Sequence, residues 1–154
     1  MNHTLTEENM KKLREELEYR MTVKRGEIAR DKAEAAAHGD RSENAEYKEA
    51  CERYRKNDDR IQFLMNMIST ATVIEEKDID KSVLGINKKA RIKFVEDGDE
   101  DIVTLVTTMD FDPASMKISI ESDLGKALSG HKAGDIVDVN APNGTYKVEI
   151  LEIL

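Results

Sequence analysis

Along the first half of the chain the apolar positions recur at helical spacing. Met10, Leu13, Leu17, Met21, Ile28 and Ala35 lie three, four or seven residues apart on an otherwise mostly charged segment. That is one narrow stripe, which suits a helix with a single packed seam and water elsewhere. Thr6 followed by Glu7 and Glu8 places the helix start around residues 5–8. Gly26 interrupts the segment and costs about 1 kcal/mol relative to Ala in a helix interior, so it is the expected soft point. The second segment is cleaner: Tyr47, Ala50, Tyr54, Asn57, Ile61, Leu64, Ile68 and Ala71 alternate three and four apart. Its one polar seam residue, Asn57, is of the kind that fixes register at some cost in stability. Neither segment contains proline, and each runs for roughly 30 residues, or about 45 Å of helix. The short link between them makes each the other's antiparallel partner.

Near Asp78 the period changes from helical to alternating. Residues 90–95 and 102–107 read as strands joined by the acidic loop 96–101, and 117–120 as a short third strand. Residues 124–128 suit one or two helical turns stopped by Gly130. Strands at 136–139 and 146–153 pair across Pro142-Asn143-Gly144, a strong turn signal. The expected architecture is therefore α+β in two domains. Residues 1–77 form an antiparallel helical hairpin with a coiled-coil seam, and residues 78–154 a small, mainly antiparallel β domain with one short helix.

Candidate chemistry concentrates in the link, residues 38–47. Gly39 suits the left-handed position just past a helix, and Asp40 an N-cap for the helix that follows. Asp40 and Glu43, three apart, are then neighbours on its first turn. One reading is a capping box, with Glu43 returning to the N-cap amide. The other is a pair of carboxylates that binds Mg²⁺. Two acids do not enclose an ion that prefers six oxygens, so the site would be completed elsewhere. Such a pair could supply the second ion of a two-metal phosphodiester hydrolysis. The readings are compatible if the cap orients Asp40 while its second oxygen stays free.

Other candidates are weaker. His3, His38 and His131 are scattered, without a partner at metal-ligand spacing. Residues 97–101 resemble a calcium loop only at the start, with Ile102 where the glycine belongs and Thr108 where the bidentate acid belongs. No phosphate-cradling glycine loop or nucleophile elbow occurs. The lone Cys51 sits in a helical pattern beside Ala50 and has no internal disulfide partner. No apolar run approaches the ~18 residues of a membrane span, so a cytoplasmic protein with no membrane partner is expected. Asn2-His3-Thr4 and Asn143-Gly144-Thr145 are then chance matches to a glycosylation triplet.

Gly39-Asp40-Arg41-Ser42-Glu43-Asn44-Ala45-Glu46-Tyr47 resembles the G-D-x-x-E-N-A-E-Y signature of the bacterial transcript cleavage factors GreA and GreB. The similarity continues through Leu13-Arg14-Glu15-Glu16-Leu17, Ala71-Thr72-Val73-Ile74, Ile118-Ser119, Gly125-Lys126-Ala127-Leu128 and Gly134-Asp135. The resemblance implies an N-terminal coiled coil and a C-terminal FKBP-like domain that docks at the secondary channel of bacterial RNA polymerase. It implies that Asp40 and Glu43 help hold Mg²⁺ shared with the polymerase and orient water for cleavage of backtracked RNA at the nascent 3′ end. Gly39, Ser42, Asn44, Glu46 and Tyr47 would shape the tip, and Ser122, Asp123 and Gly125 would take part in docking. The chain would then stimulate the polymerase's own cleavage activity without being an enzyme itself, and would act as a monomer. It departs from the family pattern at Arg41, at Gly26 in place of a proline, and at Asp123 in place of another. Arg41 and Asp123 motivate an alternative, a non-catalytic relative that occupies the channel and inhibits or regulates the polymerase. A prolyl isomerase based on the C-terminal fold is a third reading, opposed by the few aromatics there, Phe94, Phe111 and Tyr146.

Charge refines this picture. The chain carries a formal net charge of −8, which opposes strong unassisted binding to a nucleic-acid backbone. Residues 1–75 hold 14 Lys and Arg against 16 Asp and Glu, net −2, and the remainder is net −6. Lys24, Arg25, Arg30, Lys32, Arg53, Arg55, Lys56 and Arg60 read either as a solvated helical face or as a patch that meets RNA or a polymerase surface. The near-neutral hairpin is more GreA-like than GreB-like.

Overall fold

The computed structural model describes residues 3–39, 44–75, 80 and 82–154. Two compact units emerge. One comprises Glu7–Thr72, and the other joins Thr4–Thr6 to Val73–Leu154. The boundary expected at Asp78 lies outside the described residues.

The first unit is a helical hairpin. Helix α1 (Glu7–Tyr19) passes through a π-helical turn, Arg20–Lys24, into α2 (Arg25–Ala36), and α3 (Ala45–Thr70) returns. The 26 residues of α3 span about 39 Å. Ties from Glu16 to Arg60, Arg20 to Asn57 and Asp31 to Arg53 run in opposite chain order, so the helices are antiparallel. Met10, Leu13, Ile28 and Ala35 are buried on one side of the seam, and Ala50, Asn57, Ile61 and Leu64 on the other. Tyr47, Tyr54, Ile68 and Cys51 are half-buried at its margin.

The first seam departs from the simple count at one place. Met21, expected on the stripe, is 43% exposed. The π turn closes with the Arg25 amide donating to the Arg20 carbonyl, an i→i+5 bond that widens one turn and advances the helix phase. Arg20 therefore reaches the seam in place of Met21. There its Nη1 donates to Asn57 Oδ1 at 3.0 Å, while Asn57 Nδ2 donates to the Arg20 carbonyl at 3.2 Å. The irregularity ends at Lys24, before Gly26, which sits in regular helix with open space around it. The soft point is thus a specific hydrogen-bonded turn beside the glycine.

The first helix starts at Glu7, inside the expected 5–8, but a strand that the pattern did not show precedes it. Thr4–Thr6 form strand β1 with Leu5 buried, and β1 pairs with β2 (Thr72–Ile74). Ala71 terminates α3 in extended conformation instead of extending its seam.

The second unit carries a five-stranded sheet in the order β5-β4-β3-β7-β6, built from β3 (Lys89–Phe94), β4 (Glu100–Val106), β5 (Lys117–Ser119), β6 (Ile136–Ala141) and β7 (Gly144–Ile153). Alternation puts Ala90, Ile92, Val103, Leu105, Val137, Val139, Val148 and Ile150 on one face, where Leu128 of helix α4 (Asp123–Leu128) joins them. The β3–β4, β3–β7 and β6–β7 pairs are antiparallel, and β6–β7 turns tightly at Pro142-Asn143, with Gly144 at φ +129°. β4 and β5 run parallel. A crossover through two 3₁₀ turns, Thr108–Asp110 and Pro113–Ser115, makes that possible, and no alternation pattern encodes it. Residues 97–99 lie in the exposed turn between β3 and β4, with Gly98 at φ +76°.

Candidate functional site

The tip is built from the last turn of α2, the first turn of α3 and the residues between. α2 ends through tight bonds from the Ala37 amide to the Glu34 carbonyl and from the His38 amide to the Ala35 carbonyl. Gly39 follows at φ +150°, outside the left-handed helical value expected of it and open to glycine at little cost. Asp40, Arg41, Ser42 and Glu43 lie outside the described residues.

The N-cap of α3 is Asn44, where the sequence pattern placed Asp40. Asn44 Oδ1 accepts from the Tyr47 amide at 3.1 Å, and Asn44 Nδ2 donates to the Ala35 carbonyl at 2.6 Å. One side chain thus starts the second helix and ties it to the end of the first. The Asp40–Glu43 capping box itself lies outside the described residues; at α3 the residue three positions after the cap is Tyr47 and not an acid. Asn44 was legible as a cap residue type; the acidic spacing upstream concealed it.

Beneath the tip, Asp31, Glu34, His38, Glu46, Glu49 and Arg53 line a recess of about 240 Å³. His38 Nδ1 lies 3.6 Å from Glu46 Oε2, both side chains well exposed, so Glu46 is already turned towards an internal partner. Among the described residues no group of three or more His, Cys, Asp or Glu is arranged to hold a metal ion. Any Mg²⁺ at this tip would depend on Asp40 and Glu43 together with ligands from outside the chain. Two hard carboxylates suit that ion but do not complete its shell.

Farther along the hairpin, Arg20, Lys24, Ile28, Arg53, Lys56, Asn57 and Arg60 line a groove of about 390 Å³. Four of the cations singled out by sequence meet here. Arg20 was missed because the π turn brings it round. Arg25 instead pairs with Asp58 at 3.1 Å, Arg55 with Glu52 and Asp59, and Lys32 lies over the Tyr54 ring. Within the groove Arg53 meets Asp31 at 3.2 Å, and Arg20 and Arg60 share Glu16 at 2.9 and 2.7 Å. The Arg60 guanidinium foremost, then Arg20, hold the Glu16 carboxyl down at about 2 against the upward push of burial. Lys24 has no carboxylate partner among the described residues.

In the second unit the three docking candidates form one construction. Ser122 caps α4, its Oγ accepting from the Gly125 amide at 3.0 Å and donating to the Ser119 carbonyl at 2.6 Å. A β-carbon at Gly125 would stand 1.9 Å from that same carbonyl oxygen. Ser122 and Gly125 therefore shape the loop, and Asp123 is the exposed member. Phe94 and Tyr146, with ring centroids 6.1 Å apart and planes tilted by 37°, line a recess of about 230 Å³ with Glu96, Asp97 and Lys147, while Phe111 lies in a loop, 52% exposed. His131 pairs with Asp135 at 3.3 Å on the surface. No helix among the described residues is long and apolar enough to cross a membrane.

Comparison with known proteins matches both halves of the chain. Residues 3–73 match the family "Transcription elongation factor, N-terminal", and residues 79–154 match "Transcription elongation factor, GreA/GreB, C-term". The chain is 42% identical over 151 residues to the transcription elongation factor GreA of Clostridium botulinum, covering 98% of this chain and 94% of that protein. It is 44% identical over 149 residues to GreA of Acetivibrio thermocellus, covering 97% and 94%. Among solved structures, the GreA factor homolog 1 of Thermus thermophilus aligns over 100% of this chain and 99% of its own, at 24% identity and a TM-score of 0.47. With both halves matched in order and near-full-length relatives above 40% identity, the chain belongs to the GreA/GreB family of transcription elongation factors.

Proposed function

We propose that this chain binds bacterial RNA polymerase at its secondary channel and stimulates cleavage of backtracked nascent RNA, with Asp40 and Glu43 as the acids delivered to the polymerase active centre. The observation that carries the reading is the Asn44 clamp. Asn44 caps α3 and bridges to the Ala35 carbonyl, so Asp40 is not needed as that helix's cap and the intact acidic motif asks for another use. When bound, Mg²⁺ supplies Lewis-acid activation of water for phosphodiester attack. Asp40 and Glu43 are the residues that would hold it, together with carboxylates of the polymerase. Asn44 fixes where the acidic segment leaves and rejoins the hairpin. The cationic groove, where Lys24 has no carboxylate partner among the described residues, is a surface suited to the phosphates of the displaced RNA 3′ end. The protein acts in the cytoplasm and lends its carboxylates to a reaction the polymerase performs.

The test is release of short 3′ RNA fragments from a backtracked bacterial elongation complex in Mg²⁺. Wild-type protein accelerates release. Asp40→Ala/Glu43→Ala abolishes the acceleration, a loss of at least about 100-fold, while polymerase binding stays within about twofold. Equal stimulation by the double variant would remove these acids from the reaction. Slowed nucleotide addition without any stimulated cleavage would establish the channel-blocking alternative.

A further inference from the structure

The crossover between β4 and β5 holds three large apolar side chains in water. Met109 is 40% exposed, Phe111 52% and Met116 38%. The backbone beneath them is pinned. The Asp110 amide donates to the Thr107 carbonyl at 3.0 Å, and Asp112 and Lys117 exchange backbone bonds of 3.1 and 2.9 Å. Ser115 donates its amide to the Asp112 carbonyl and its hydroxyl to the Asp112 carboxylate, the latter at 2.8 Å. Met116 sits in the left-handed region at φ +56°, a conformation unfavourable for a residue with a β-carbon. A well-bonded frame, with one residue in an unfavourable conformation, therefore displays an aromatic and two thioethers.

The frame is bonded directly to the loop that contains Ser122. The Thr108 hydroxyl meets the Ser119 hydroxyl at 2.9 Å and donates to the Glu121 carboxylate. Asp110 and Asp112 flank Phe111 in sequence, and Glu121 is bonded to the crossover through Thr108, in a half-chain of net charge −6. Ser122 and Gly125 are committed to holding α4, so they offer a partner little side-chain area. Interfaces draw most of their affinity from a few aromatic and other large anchors that lose water on binding.

We propose that Met109, Phe111 and Met116 are the apolar anchor by which this chain docks on RNA polymerase, against a polymerase segment whose apolar side chains are flanked by Lys and Arg. This rests on the polymerase-binding reading above and relocates its contact energy from Ser122 and Gly125 to the neighbouring crossover. Complementary charge steers the encounter, and burial of Phe111 with the two methionines holds it.

The experiment measures Kd of the full-length protein for immobilised bacterial core polymerase. Met109→Ser/Phe111→Ser weakens binding by about tenfold or more while thermal melting stays unchanged. Phe111→Leu, which keeps apolar area, stays within about threefold. Ile136→Ser, an equally exposed position on edge strand β6 (58% exposed), stays within about twofold. Wild-type-like binding by the double serine variant, or equal weakening by Ile136→Ser, overturns the inference and leaves the proposed function standing. Failure of the wild-type protein to bind polymerase overturns both.

Discussion

The hairpin and the sheet unit bury themselves by opposite means. The sheet unit has a cluster of ten buried aliphatic residues, from Leu84 to Ile150, and its stability comes from apolar area removed from water. The hairpin's seam has fewer large aliphatics and is interleaved with Asn57 and closed by Glu16–Arg60, Arg25–Asp58 and Asp31–Arg53 ties. Apolar stripes on two helices slide past one another at modest cost, whereas a side chain bonded to one particular carbonyl does not. The polar ties thus specify register more than they add stability. The hairpin is thus held in one alignment, while the sheet unit is held by bulk apolar burial.

The comparison breaks most visibly at Gly125. Gly125→Ala drives a β-carbon into the Ser119 carbonyl, and we expect a loss of about 3 kcal/mol, read by urea unfolding, with faster hydrogen exchange in the sheet amides and none in the α2–α3 amides. Next is Asn57→Ala, which removes both bonds to Arg20. It should cost about 1–2 kcal/mol and speed exchange in the hairpin alone; uniform exchange changes in both units would show that Asn57 does not act locally.

The smallest effect sharpens the contrast in pH. Glu16 has a folded pKa of about 2 against an ordinary 4.5. Its contribution is therefore complete above pH 4.5 and lost as the pH falls through 2. With a third of its side chain in water, that contribution is on the order of 1 kcal/mol. Glu16→Gln should lower hairpin stability at pH 7 by this amount and flatten its loss between pH 4.5 and 2. An unchanged acid profile would mean that the Arg60 and Arg20 bonds contribute nothing net.

Much of this molecule was written locally. The seam from Ala50 to Leu64 follows from spacing because a long regular helix preserves its phase, and the alternation at Ala90–Ile92 and Val137–Val139 follows from the two-residue period of a strand. The motif around Asn44 carried the family. Three features escaped for a shared reason. Arg20 replaced Met21 because a single π turn shifts phase without altering composition. Asn44 replaced Asp40 as the cap because the choice between two good capping residues depends on where the chain re-enters the partner helix. Thr4–Thr6 became a strand because its partner lies at Thr72–Ile74, beyond the reach of local pattern.

By itself the sequence determined the two-part architecture, the antiparallel hairpin and its main seam, most of the strands and the family, since each is set by short-range periodicity or by a contiguous motif. Only the tertiary structure decided the phase of the first helix, the true cap at the tip, the parallel β4–β5 pair and the apolar crossover beside Ser122. Each of those depends on hydrogen bonds between residues distant in the chain or on the path that brings them together.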